Sequence, residues 1–302
     1  MKFSTFKNET RIFIGIVNEG ENRILPLVEA AGRMGGAVSL PESLLEAIAL
    51  GDSFYEEARK VADWVNENNL EEELYTPIES VTLLAPIPKP AKNIFCVGKN
   101  YAEHAIEMGS KDDIPEHVMV FTKAPTSVIG HKATILDHKE VTEQLDYEGE
   151  LAVVIGKQGI GIKREDALDY VFGYTIINDV TARDLQARHK QFFIGKSLDT
   201  TCPMGPWIVH KSAIGNPNNL NIQTLVNGEV RQDSNTENFI FPVEEIISVL
   251  SQGMTLEPGD IIATGTPAGV GKGFKPPRFL KSGDSIEVSV EGIGTLSNVV
   301  QG

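Results

Sequence analysis

Past residue 90 the chain is a succession of short, β-branched apolar runs, each broken by Gly or Pro: "NIFCVG" (93–98), "ELAVVIG" (150–156), "VFGYTIIND" (171–179), "CPMGPWIVH" (202–210), "IQTLVNGEVR" (222–231), "DIIATGTP" (260–267) and "SIEVSV" (285–290). Runs this short, punctuated this closely, build strands rather than helices. They predict a β-rich α+β domain, with "EDALDYV" (165–171) and "VEEIISVLSQG" (243–253) as its clearer helical segments. No internal repeat interrupts the pattern.

The chain before this region reads differently. "RIFIGIV" and "RILPLV" flank the turn-forming "NEGEN" (18–22), which predicts a hairpin. A helix pair follows in "PESLLEAIAL" (41–50), which stops at Gly51, and "SFYEEARKVADWVNEN" (53–68), where Phe54, Ala58, Val61 and Val65 recur at helical spacing. "APIPKPAKN" (85–93) carries three prolines in nine residues and reads as a stiff connector. The boundary is therefore expected near residues 85–90, giving a small α+β N-terminal domain (1–85) and a β-rich catalytic domain (86–302).

Charge restricts the partners. The 302 residues carry 27 basic and 42 acidic side chains, a net charge of −15, which disfavours nucleic acid and anionic lipid. No run of about 18 apolar residues signals a membrane span. The N-terminus lacks the features of a signal peptide, so the cytoplasm is the expected compartment. Cys96 and Cys202 are the only cysteines and form no CxxC pair, so both are expected as reduced, buried thiols.

Chemistry concentrates in a few stretches. In "QLDYEGELAVVIG" (144–156), Glu148 and Glu150 stand two apart at the start of a strand and so point the same way, with Gly149 allowing close approach. They form either the solvated rim of an edge strand or one shared site. Asp179 ends the apolar run "YTIIND", and a neighbouring strand would bring it level with the glutamates. Three clustered carboxylates repel one another without a cation, and hard oxygen donors favour Mg²⁺, Mn²⁺ or Ca²⁺ over zinc.

"KNYAEHAIEM" (99–108) sets His104 and Glu107 three apart, on one face of a helix. The pair is either a surface contact or an imidazole oriented by a carboxylate for general-base work. "GTPAGVGKG" (265–273) fails the Walker A spacing, since Thr266 stands where its first Gly belongs. It reads as a flexible loop or as one whose amides and Thr266 hydroxyl bind a carboxylate. Arg183, Gln186 and Lys190 follow Asp179 in "TARDLQARHKQ", and Lys196 sits among small and apolar residues in "FIGKSLDT". Lys196 is either a salt-bridged core residue or a cation that holds an anionic substrate or enolate.

Five motifs in order, "DYEGELAVVIG", "GYTIINDVTARDLQ", "GKSLDTTCPMGP", "VNGEVRQ" and "TLEPGDIIATGTPAGVG", resemble the fumarylacetoacetate hydrolase family over roughly residues 90–300. The first 85 residues resemble the extra N-terminal segment of one bacterial branch. The resemblance implies a layered mixed β-sheet fold, a homodimer, and Mg²⁺ or Mn²⁺ held by Glu148, Glu150 and Asp179. It also implies a catalytic His104–Glu107 dyad on a mobile lid, a site lysine at Lys196 and a second at Lys123, here in "FTKAP". Substrate oxygens would meet Arg183, Gln186 and Thr266.

The implied substrate is a small anionic 2-oxo acid, bound through its carboxylate and keto oxygens and cleaved between C3 and C4 with the ion as Lewis acid. Oxaloacetate decarboxylation to pyruvate and carbon dioxide is the first expectation, and acylpyruvate hydrolysis, with His104 and Glu107 activating water, the second. A non-catalytic scaffold, with residues 1–85 as its partner-binding module, is the alternative from another class. Because every matched motif follows the Pro-rich connector, residues 1–85 are expected to be separable from the chemistry.

Overall fold

The computed structural model describes residues 1–20, 22–35 and 38–302. Gly149–Ile155 and Val171–Asn178 pair antiparallel from Gly149 opposite Asn178 to Ile155 opposite Val171, and every residue of both strands is buried. Burial on both faces is why these strands read as continuous apolar runs. Cys202–His210 pairs with Val171–Asn178 on one flank, and Ile261–Ala263 pairs with Gly149–Ile155 on the other. Ile94–Gly98, parallel to Ile261–Ala263, and then Met119–Lys123 complete that side of a twelve-stranded sheet.

Period-two alternation gives this sheet two different faces. Leu151, Val153 and Ile155 pack in one core with Ile222, Val288 and Leu296. These belong to a five-stranded sheet ordered Glu229–Asn235, Asn221–Val226, Ser285–Val290, Gly294–Gln301, Thr134–Leu136. Ala152 and Val154 belong to a second core with Phe54, Ala58 and Val61 of the helix Asp52–Glu67. The fold is thus a sheet-rich α+β structure, layered as the sequence implied.

Local signals located most elements. Ile12–Asn18 pairs with Arg23–Pro26 as the expected hairpin, although Glu21 of its turn lies outside the described residues. Ser43 caps the helix Leu44–Ala49, its hydroxyl accepting from the Glu46 N–H at 3.2 Å. Asn227 and Gly228, both at positive φ, turn the hairpin between Asn221–Val226 and Glu229–Asn235. The "EDALDYV" segment is a 3₁₀ helix, Arg164–Tyr170, rather than an α-helix, because the strand beginning at Val171 claims the chain before a longer helix can form. Among the described residues no helix is long and apolar enough to cross a membrane.

Lys2–Lys7 carries no strand signal in the sequence reading, yet it lies between Ile12–Asn18 and Cys202–His210, with Phe3 opposite Ile208. The division at residues 85–90 consequently marks a change of sequence pattern within one sheet. Segments 1–85 and 86–302 share a core, since Phe3, Leu25 and Phe54 pack in the same cluster as Cys96, Phe172, Ile208 and Ile261. Side chains from both segments thus pack in one continuous apolar cluster.

His210 joins the two segments. Its ring stacks on Tyr55 at 3.8 Å and meets Phe172 edge-on at 5.4 Å, while its Nδ1 accepts from the Ser212 N–H. Burial, then the nearby terminal amine and Lys211, lower its pKa from 6.5 to about 4. The unfolded chain takes up the proton first, so the stability that His210 contributes is complete above 6.5 and is lost as pH falls toward 4. Thermal midpoints should show wild type ahead of His210→Gln at neutral pH, with the gap narrowing on acidification; a gap independent of pH would remove His210 from the acid response.

Candidate metal and active site

The sheet register builds the acidic cluster. Gly149 lies opposite Asn178, so Glu148 and Asp179, one residue beyond each strand, come level. The Asp179 N–H donates to Glu148 O at 2.8 Å and the Glu148 N–H to Asn178 Oδ1 at 3.0 Å. Glu148, Glu150 and Asp179 are all buried, and one carboxylate oxygen from each lies within 4.8 Å of the others. Gly149 itself serves another purpose than the one expected. A Cβ there would stand 2.3 Å from Thr224 Oγ1 and 2.8 Å from Val288 Cγ1, so the glycine lets the second sheet approach.

Three buried cations meet this cluster. Lys196 Nζ lies 2.6 Å from both Glu148 Oε2 and Asp179 Oδ2, and Lys123 Nζ donates to Asp179 Oδ1 at 2.7 Å. Arg183 donates from Nε to Asp146 Oδ2 at 2.8 Å and sets Nη2 2.7 Å from Glu148 Oε1, an ion pair without a directed hydrogen bond. Lys196 therefore combines both sequence readings: it is salt-bridged, and it lines the cavity described below.

These charges divide the two glutamates. Burial pushes the Glu148 carboxyl up, but Lys196 and Arg183 outweigh it and hold the group below the usual carboxylate range. Glu150 touches no cation; its Oε2 accepts from the Gly265 N–H at 2.8 Å. Burial, followed by the charges of Asp179 and Glu148, pushes its carboxyl well above the usual range. For Lys196 burial acts downward, and Asp179 and Glu148 reverse it, leaving the amine raised to about 12. An all-oxygen, buried, under-compensated donor set fits a hard divalent ion, and Mg²⁺ or Mn²⁺ suits it.

A cavity of about 210 Å³ opens over the cluster, lined by Glu148, Glu150, Arg183, Gln186, Lys196, Thr266 and His104. The helix Ala102–Met108 carries His104 and Glu107, with His104 Nδ1 3.3 Å from Glu107 Oε2. Glu107 Oε1 accepts from the Gly269 N–H at 2.9 Å, which ties the helix to the loop after Thr266. Asn100, fully buried, anchors the other end through Nδ2 donors to Phe241 O and Thr264 O.

Ten of the residues singled out from the sequence thus gather here, while Lys190, at the exposed end of the helix Arg183–His189, does not. Lys123, Asp179 and Glu107 stand behind the cavity wall and the other seven on it. Thr266 reaches the cavity, but its Oγ1 already donates to Gly149 O at 3.0 Å and accepts from Gln232 Nε2 at 2.7 Å. Its hydroxyl proton is committed to the fold rather than to a ligand. Arg183 Nη1 donates to Gln186 Oε1 at 3.3 Å, which orients that amide at the cavity edge.

Two buried residues were not singled out. Gln232 accepts from the Gly149 N–H and donates to Thr266 and Pro267 O, stitching the second sheet to the site. Asp146 accepts from Arg183 Nε and from the N–H groups of Tyr147, Gly271 and Lys272. Its signal was present in "DYEGE", where Asp146 continues the spacing of two set by Glu148 and Glu150. Cys96 and Cys202 are buried thiols, as expected, and burial pushes Cys202 up to about 12.

Known proteins are similar to this chain in sequence and fold. The chain is 58% identical over 302 residues to the oxaloacetate tautomerase YisK of Bacillus subtilis, an alignment spanning 99% of this chain and all of that one. The solved fumarylacetoacetate hydrolase of the psychrophile Exiguobacterium antarcticum is 43% identical and superposes with a TM-score of 0.81, covering 100% of this chain and 99% of that one. The maleylpyruvate hydrolase of Sphingobium sp. SYK-6 is 27% identical with a TM-score of 0.76, covering 100% and 99%. The family model for the fumarylacetoacetate (FAA) hydrolase C-terminal region matches residues 93–301, from the end of the Pro-rich connector through the last strand. With the matched span containing every residue of the acidic cluster and its cations, this chain belongs to the fumarylacetoacetate hydrolase family.

Proposed function

We propose that the chain is a divalent-metal-dependent enzyme that interconverts the keto and enol forms of oxaloacetate. The observation that carries this reading is the placement of His104 on the same cavity as Glu148 and Glu150. Its Nδ1 is held by Glu107, the one hydrogen-bond partner of the ring among the described residues. That leaves Nε2 as the nitrogen that takes the C3 proton of the keto form and returns it to the C2 oxygen to give the enol, or the reverse, and Glu107 stabilises the imidazolium formed on the way.

Glu148, Glu150 and Asp179 would hold Mg²⁺ or Mn²⁺, which supplies Lewis-acid polarisation of a 2-oxo acid. The protein's own charges suit that substrate. With a divalent ion held, the four carboxylates of Asp146, Glu148, Glu150 and Asp179 against Lys123, Arg183, Lys196 and the ion would leave the cluster one positive, so a small anion is drawn in. Arg183 and Gln186 present N–H groups at the cavity wall to the oxygens of the bound acid.

The sequence placed decarboxylation first; the name of the 58% identical relative moves proton transfer ahead of it. Loss of carbon dioxide from the same substrate, and hydrolysis of an acylpyruvate, begin from the same polarised 2-oxo acid. Purified chain with Mn²⁺ should accelerate the decay of the enol absorbance of oxaloacetate, with no matching release of carbon dioxide. Stoichiometric pyruvate and carbon dioxide would return the assignment to decarboxylation, and turnover restricted to acylpyruvates would make the chain a hydrolase.

A further inference from the structure

We infer that Lys272 is a specificity residue that selects 2-oxo acids bearing a second carboxylate at the end remote from the metal ligands; this rests on the 2-oxo acid reading above. Four basic residues line the cavity: Lys99, Arg183, Lys196 and Lys272. Three have committed charges. Lys196 bridges Glu148 and Asp179, Arg183 joins Asp146 and Glu148, and Lys99 Nζ pairs with Asp113 at 2.9 Å. Lys272 is solvent-exposed, and its side chain makes no ion pair or hydrogen bond among the described residues.

The backbone that carries Lys272 is fixed at several points. The N–H groups of Gly271 and Lys272 donate to the two oxygens of Asp146 at 2.7 and 3.0 Å, and Gly271 O accepts from the Arg278 N–H at 2.8 Å. The Gly269 N–H donates to Glu107. Two glycines allow this clamping, because a Cβ at Gly271 would stand 2.6 Å from Asp146 Oδ1 and one at Gly273 2.2 Å from Glu107 Oε1. Asp146 therefore sets Arg183 and Lys272 from one carboxylate, and the loop holds an unspent cation at a fixed place on the rim.

A 2-oxo acid anchored by its first carboxylate and keto oxygen at the acidic cluster must send its other end toward the rest of the cavity. Much of that remaining wall is Val97, Met108, Met119, Phe121 and Phe192, which offers nothing to an anion. Lys272 is the uncommitted positive charge within the cavity lining, so a terminal carboxylate gains there what a neutral ester or acyl tail does not.

The test compares wild type, Lys272→Gln and Lys272→Arg with Mn²⁺ bound, reading KM and kcat for oxaloacetate and the inhibition constant of its 4-methyl ester, which keeps the chelating end and lacks the second charge. Because the Lys272 side chain has no partner to lose, the variants should fold as wild type does. Lys272→Gln should raise the KM for oxaloacetate by about 10-fold relative to any change in the ester's inhibition constant, with Lys272→Arg restoring much of the loss. Equal effects on both ligands, or a loss confined to kcat, would overturn the assignment. Absence of wild-type turnover on oxaloacetate or any other 2-oxo acid would instead sink the functional reading itself, so the two failures are distinguishable.

Discussion

Glu150→Gln should bind no Mn²⁺ and lose turnover by about 10³-fold or more, the scale expected when several kcal/mol of Lewis-acid stabilisation disappear. The same variant should melt at a higher temperature than wild type when both are held in EDTA. Glu150 is 1% exposed, touches no cation, and faces the charges of Glu148 and Asp179. An amide carries no cost of burying an ionisable carboxyl beside two others, and its oxygen still accepts from the Gly265 N–H that now meets Glu150 Oε2 at 2.8 Å. In Mn²⁺ the order should invert, because an ion that binds only the native state stabilises wild type and not the variant. Calorimetric titration and paired melts in EDTA and Mn²⁺ read both halves. Retained Mn²⁺ affinity in Glu150→Gln would take the residue out of the site, while a lower melting point in EDTA would show that its carboxylate is compensated in the metal-free protein.

His104→Ala should cut kcat by about 10²- to 10⁴-fold, the usual range for losing a positioned acid or base, with little change in metal affinity. The imidazole touches none of the three acidic residues through a hydrogen bond; its partner is Glu107, three residues on along the same helix. Glu107→Gln should also lower kcat, because its single oxygen is taken by the Gly269 N–H and its NH2 group then donates to Nδ1, which places the ring proton on Nε2 and leaves the charge of an imidazolium without its offset. It also leaves the Gly269 N–H an oxygen to donate to, so the loop keeps its anchor. Stopped-flow decay of enol oxaloacetate, beside Mn²⁺ titration of each variant, checks both expectations. Wild-type rates in His104→Ala would remove the dyad from the mechanism; a loss on an acylpyruvate but not on oxaloacetate would show that it activates water.

How the sequence revealed these residues differs from one to another. Glu148 and Glu150 were legible because strand geometry repeats every two residues, and Asp179 because it ends the next apolar run, which an antiparallel register brings level. His104 and Glu107 were legible because three residues along a helix return to one face. The Asn227–Gly228 turn and the Ser43 cap follow from equally local chemistry. The family motifs added the roles of Lys123 and Lys196, whose partners lie 56 and 17 residues away at Asp179.

Local pattern by itself determined which segments are strands, which turn, and where the acids cluster, since these depend on backbone preferences and side-chain periods spanning a few residues. Tertiary structure decided what those elements meet. Lys2–Lys7 became a strand because Cys202–His210 and Ile12–Asn18 offer it two partners, and Gly149 is a glycine because Thr224 and Val288 arrive from another sheet. Asp146 gained its purpose from Gly271 and Lys272, 125 and 126 residues further along. Contacts of that span depend on how whole layers dock, so no period in the sequence encodes them, and the same docking left Lys272 as the cavity cation without a protein partner among the described residues.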